Sequence, residues 1–150
     1  MKFTPTTVDD LPQLTEWAAA DPEHREHNDP MWWLTGTGWL AFCFEDKHGP
    51  VFYCKVEQEG DLYRLHCQFA PAGRVSRSRL AVAMLKVLPI LNSRIQNDGG
   101  KGVVFNSVSP ELIQFYAKLG FKPAENNDYV LRFPLMANGS ARPMNNHLPI

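Results

Sequence analysis

Apolar positions recur along this chain with two periods, and the places where one period gives way to the other divide it into elements. Lys2-Phe3-Thr4 can start a strand, and from Leu11 the spacing Leu11, Leu14, Trp17 and Ala18 becomes helical. Asp9 or Asp10 can cap that helix, and Pro12 falls in the first turn, where a missing N–H costs little. From Asp21 to Gly38 the pattern weakens. Pro22, Pro30, Gly36 and Gly38 punctuate it while Trp32, Trp33 and Leu34 give it something to bury, which predicts a broken helix followed by a loop. Three extended segments follow, Trp39 to Glu45, Val51 to Glu57 and Asp61 to Ala70, with connections so short that the strands are antiparallel neighbours. In the third, Tyr63, Leu65, Cys67 and Phe69 alternate with Leu62, Arg64, His66 and Gln68, an apolar face against a mainly polar one that is a candidate lining for a cleft.

Ser76 or Ser78 can cap a long helix carrying Leu80, Met84, Val87, Leu91 and Ile95, and Pro89 is expected to kink it or end its regular part near Leu88. Asn97-Asp98-Gly99-Gly100 stops that helix, and Gly102 to Asn106 reads as a buried strand. Strand, long helix, strand implies a parallel crossover. A second capped segment follows: Ser109 for orphan amides, Pro110 at the first helical position, Leu112, Phe115 or Tyr116 and Leu119 as the buried stripe, and Gly120 as a left-handed stop. The extended Phe121-Lys122-Pro123, a polar turn at Glu125 to Asp128 and a last strand from Tyr129 to Phe133 complete the regular part. No repeat or linker interrupts it, so one domain over 1–135 is predicted. The tail 136–150, rich in Asn, Pro and Gly, is expected to be mobile or docked on a partner, a homodimer being one such arrangement.

Composition narrows the function classes. Basic side chains number 15 and acidic ones 16, so no overall field draws the chain onto a phosphate backbone or an anionic membrane, and nucleic acid is not an expected partner. Cys43, Cys54 and Cys67 lack CxxC spacing and lie in apolar extended segments. Reduced thiols explain them better than disulfides or zinc ligands, so no metal and a cytoplasmic redox setting are expected. No apolar h-region follows Met1-Lys2, and no apolar run approaches the eighteen or so residues of a membrane span, so a soluble protein with no membrane contact is expected.

Two clusters carry candidate chemistry. Arg74-Val75-Ser76-Arg77-Ser78-Arg79 crowds cations at a helix N-terminus, where they oppose the macrodipole unless an anion joins them. First-turn amides and guanidinium groups together suit a diphosphate. A nucleic-acid phosphate or a solvated helix start fits the same residues. Tyr116 packs helically, either as a core tyrosine or as a placed phenol, and His66 on the polar face of its strand is the best candidate base, with Gln68 or Glu57 able to orient water.

In its order of elements the chain resembles the GNAT acetyltransferase superfamily over 1–135. The resemblance is most specific at Phe115-Tyr116-Ala117-Lys118-Leu119-Gly120-Phe121, where the family commonly shows Leu-Tyr-x-Lys-x-Gly-Phe. It implies an α/β (α+β) fold: a mixed, mostly antiparallel sheet flanked by helices and splayed between the fourth and fifth strands. It implies acetyl-CoA as co-substrate between the strands ending near Ala70 and Asn106, and direct transfer of acetyl to a primary amine of a small molecule or protein. Backbone amides at Phe69 and Ala70 would polarise the thioester carbonyl. Arg74, Val75, Ser76, Arg77, Ser78 and Arg79 would hold the diphosphate, and Ser109 stands where relatives often place a cofactor-holding Asn, a role Asn106 could take instead. Tyr116 would protonate the departing thiolate; a phenol ordinarily titrates at about 10 and a thiol at about 8.5, so the step is only slightly uphill. His24, His27, Asp29, Trp32 and Trp33 are available to line the acceptor side, though a packed lid explains them equally well. One departure matters. The family's phosphate loop reads Gln or Arg, two residues, Gly, one residue, Gly or Ala, and here Arg77 and Arg79 replace both small residues. Either guanidinium groups take over phosphate binding, or the chain is a non-catalytic binding or structural protein that no longer holds CoA tightly.

Overall fold

In the computed structural model the residues described are 2–21, 29–35 and 40–134. They form β1 (Lys2–Pro5), α1 (Leu11–Ala20), β2 (Leu40–Asp46), β3 (Gly49–Glu59), β4 (Leu62–Phe69), α2 (Arg77–Asn97), β5 (Gly102–Asn106), α3 (Pro110–Lys118), β6 (Lys122–Pro123) and β7 (Asp128–Arg132), with 3-10 turns at Val8–Asp10 and Pro30–Leu34. The strands build one mixed, mostly antiparallel sheet in the order β1-β2-β3-β4-β5-β7-β6. β4 and β5 are its parallel pair, joined from Leu62↔Gly102 to Arg64↔Val104. That crossover follows from the long helix between them, as the sequence requires.

One alternative needs correction: Pro89 does not end α2, which is helical on both sides of it. Of the broken helix expected after Asp21, the described part is a single 3-10 turn, Pro30–Leu34, with Asp29 Oδ1 accepting the Met31 N–H at 3.1 Å. Residues 22–28 and 36–39 lie outside the described residues, as does the tail 136–150.

By contacts the chain divides into two compact units, one within Met1–Glu57 and His66–Val87, the other within Gln58–Leu65 and Leu88–Ile150. In the first, the two faces of β2 and β3 bury different chemistry because successive side chains point to opposite sides. Cys43 and Tyr53, opposite one another in the ladder, join Leu14 and Trp17 of α1, with Trp33 and Ala70 packed against them. The other face is aromatic: Phe42, Phe44 and Phe52 are each at most 2% exposed, and Phe52 stacks on Phe44 at 5.5 Å. Each such ring contributes roughly 1.5–3 kcal/mol by leaving water. Buried Tyr53 keeps its hydroxyl satisfied, donating to Asp10 Oδ1 at 2.7 Å and accepting from Gln13 Nε2 at 2.8 Å.

The second unit is centred on Phe105 of β5, whose ring meets Tyr116 of α3 at 3.8 Å, Phe121 at 5.2 Å and Tyr129 of β7 at 5.3 Å. Asn126 and Asn127 both hold positive φ, at 57° and 65°, and turn the chain between β6 and β7. Asn is among the few residues with a side chain that tolerates this conformation.

Candidate functional site

The polar cluster of the first unit lies on the face of β3 and β4 that carries Tyr53. His66 Nε2 is 2.8 Å from Glu57 Oε1. The Trp32 and His66 rings meet edge to face at 4.8 Å, and Trp33 packs against Trp32 at 5.2 Å. Behind them sits a residue that sequence reasoning missed. Lys55 is 2% exposed, and its ammonium donates to the carbonyls of Trp32 at 2.7 Å and Thr35 at 2.8 Å while lying 4.0 Å from the centre of the Trp32 ring. A buried cation needs such partners, so Lys55 pins the 3-10 turn to the strand and thereby holds Trp32 against His66. The available signal was a lysine inside the otherwise apolar run Val51 to Val56. Gln68, also expected on this face, is buried and donates to Asp21 Oδ2 at 3.2 Å. Of the residues proposed for the acceptor side, Asp29, Trp32 and Trp33 belong to this segment, whereas His24 and His27 lie outside the described residues.

The phosphate-loop candidates occupy the turn into α2. Arg74 donates its N–H to Pro71 O at 3.1 Å, Val75 bridges to Ala72, and Ser76 caps the helix by accepting the Arg79 N–H at 3.2 Å. Ser78 Oγ lies 3.3 Å from Ser76 Oγ. The remaining first-turn amides stand outside the intrahelical ladder, as at any helix start. The guanidinium groups have partners. Arg74 pairs with Glu16, both more than half exposed. Arg79 grips Asp46 with two bonds, Nε to Oδ2 at 2.5 Å and Nη2 to Oδ1 at 2.8 Å, and reaches Gly49 O at 3.4 Å. This pairing lowers the Asp46 carboxyl from 3.8 to about 2, chiefly through the hydrogen bond from Arg79. At the end of β4 the Ala70 amide already donates to Val51 O at 3.1 Å. It is therefore not open to a thioester carbonyl, and the alternation of the antiparallel pair directs the Phe69 amide to the side of β4 away from β3.

In the second unit Tyr116 is 2% exposed, its ring clamped between Phe105 and Phe121. The segment after it is built as its sequence predicts. Gly120 takes φ +100°, and the N–H groups of Leu119 and Phe121 both return to Tyr116 O, at 3.0 and 3.2 Å. Ser109 caps α3, accepting the Leu112 N–H at 3.4 Å. Asn106 spends its amide hydrogens on Asn126 O at 2.7 Å and Asp128 Oδ1 at 3.0 Å, while Arg64 holds both oxygens of Asp128 at 2.9 Å. Asn106 thus ties β5 to the loop before β7. Among the described residues no group of three His, Cys, Asp or Glu side chains is placed to hold a metal, and no helix is long and apolar enough to cross a membrane.

No protein-family model and no curated protein matches the sequence. Solved structures do match its fold. An aminoglycoside 6'-acetyltransferase type Ii superposes with a TM-score of 0.63 at 16% identity, over 89% of this chain and 99% of that one. The fold is that of the GNAT acetyltransferases. The ribosomal-protein-S18-alanine N-acetyltransferase from Escherichia coli shares the GNAT fold with a TM-score of 0.59 at 17% identity, covering 96% of this chain and 97% of its own. A GNAT family acetyltransferase from Brucella melitensis, crystallised with acetyl-CoA, gives 0.57 at 17% identity over 97% and 96% of the two chains. The likeness therefore extends over nearly the whole GNAT fold rather than one of its elements.

Proposed function

We propose that this chain is an acetyl-CoA-dependent N-acetyltransferase that moves acetyl directly onto a primary amine of a small molecule or protein. The observation that carries this reading is the match of fold, at nearly full length, to acetyltransferases including one crystallised with acetyl-CoA and others crystallised with coenzyme A. In this proposal His66, held by Glu57, takes the proton of the incoming ammonium. The amine then attacks the thioester carbonyl, with the Phe69 amide as the candidate donor to the developing oxyanion. The C–S bond breaks and Tyr116 protonates the leaving thiolate. The first turn of α2 with Arg74 and Arg77 receives the diphosphate, and Arg79, engaged with Asp46, braces that turn. The three cysteines have no part, and no acyl-enzyme forms.

Arg79 on Asp46, Arg74 on Glu16 and the burial of the Tyr116 ring favour a second reading, a GNAT-like binding or structural protein without turnover. Calorimetric titration with acetyl-CoA, followed by thiol release in the presence of a panel of primary amines, separates the two. The enzyme reading expects saturable heat that is lost in Arg74→Ala and Arg77→Ala, and a Tyr116→Phe variant whose turnover falls by on the order of 10²-fold while its KM for acetyl-CoA stays unchanged. Absence of acetyl-CoA binding in the wild-type chain establishes the second reading, and equal turnover in Tyr116→Phe removes Tyr116 from the mechanism.

A further inference from the structure

β3 and β4 are joined through Gly60 and Asp61, and Gly60 takes φ +64°. Positive φ at the first central residue alone is the signature of a two-residue type II′ hairpin turn. Counting back from that turn sets Glu59 opposite Leu62, Cys54 opposite Cys67, Phe52 opposite Phe69 and Val51 opposite Ala70. Two contacts far from the turn agree with the count: Ala70 N–H donates to Val51 O at 3.1 Å, and the Phe52 and Phe69 rings meet at 6.0 Å. Because Val51 and Ala70 form a hydrogen-bonded pair, alternation makes Cys54 and Cys67, three steps along, a non-hydrogen-bonded one. Such pairs hold their Cα atoms about 4.5 Å apart with both side chains on one face, inside the roughly 4.4–6.8 Å that a disulfide spans. The two thiols are free.

We propose that Cys54 and Cys67 are a redox-responsive pair that closes to a disulfide when the protein meets a peroxide. The two sulfurs differ in access, Cys54 being 1% exposed and Cys67 half-buried. Cys67 therefore reacts first. Its sulfur displaces hydroxide from the peroxide O–O bond, the hydroxide leaves as water with the thiol proton, and a sulfenic acid forms. Cys54 keeps its proton until this point, since the neighbouring Cys67 thiol and then burial raise it well above the ordinary thiol range. Its sulfur next displaces the sulfenic hydroxyl, which departs with the Cys54 proton as a second water. Two S–H bonds are lost, one S–S bond forms, and the two electrons released reduce one peroxide. The register also selects the pair. Cys43 stands opposite Tyr53, whose side chain is on the other face of β3 from Cys54, so Cys43 is excluded.

The test treats the full chain with hydrogen peroxide, alkylates it under denaturing conditions and maps the non-reduced peptides. The expected result is an intact mass short by two hydrogens, loss of two of the three alkylatable thiols, and a dithiothreitol-sensitive link between the Cys54 and Cys67 peptides. Cys43→Ser should leave that link unchanged. Cys67→Ser should abolish it and leave Cys54 fully alkylatable. A link containing Cys43, a link between two chains, or oxidation that stops as sulfinic acid on Cys67 with Cys54 still alkylatable would overturn the proposal. The wild-type map decides the matter even if a variant fails to fold.

Discussion

The carboxyl of Asp46 shows how a partner distant in sequence decides what a side chain does. Arg77 and Arg79 look alike beside Ser76 and Ser78, yet Arg79 is taken by a carboxylate 33 positions away in a two-point grip. The consequence for stability follows from the direction of the shift. Folding favours the carboxylate, so the pair contributes fully above pH 3.8 and is lost as pH falls through about 2. Asp46→Asn should therefore be less stable than wild type at neutral pH, and the difference between their urea midpoints should narrow steadily below pH 3.8. A difference that stays constant down to pH 2 would show that the Asp46 charge contributes nothing.

At the scale of elements, local signals were legible and long-range ones were not. The capped α3 could be read because Ser109, Pro110 and Gly120 each act within a few residues of themselves. The three-strand meander was equally readable, since connections as short as Gly60-Asp61 leave no other arrangement. The 3-10 turn Pro30–Leu34, legible only as part of a broken helix and loop, is held in place by a tertiary partner, Lys55, that no local signal announces. The tie of Asn106 to Asp128 spans 22 positions and has no local signal either. That Pro89 does not stop α2 also has a tertiary reason. It lacks the N–H that the carbonyl of Leu85 would accept, but Leu85 is 48% exposed and Pro89 is exposed too, so the lost bond falls on the water-facing side of the helix while Leu88, Leu91 and Ile95 hold the buried side. Pro89→Ala should restore the missing bond and raise stability by about 1–3 kcal/mol with an unchanged far-UV spectrum. A neutral or destabilising effect in urea titration would mean that the ring itself is needed where it stands.

At the scale of the molecule, the boundary between the two compact units falls inside β3, inside β4 and inside α2 rather than in a linker. Elements that continue across a boundary propagate unfolding from one side to the other, which argues for a single cooperative transition. The chain provides its own test. No tryptophan lies within Gln58–Leu65 or Leu88–Ile150, so indole fluorescence carries no signal from the second unit. Asp128 belongs to the second, where it holds both arms of the Arg64 fork and accepts from Asn106. Asp128→Asn breaks that charge-assisted grip and should cost about 1–3 kcal/mol. If the units unfold together, the fluorescence midpoint in urea moves by as much as the far-UV midpoint, although no tryptophan lies in the altered unit. A far-UV curve that splits into two steps while the fluorescence curve stays fixed would show two independent domains, because a loss confined to Gln58–Leu65 and Leu88–Ile150 would then leave the indoles untouched.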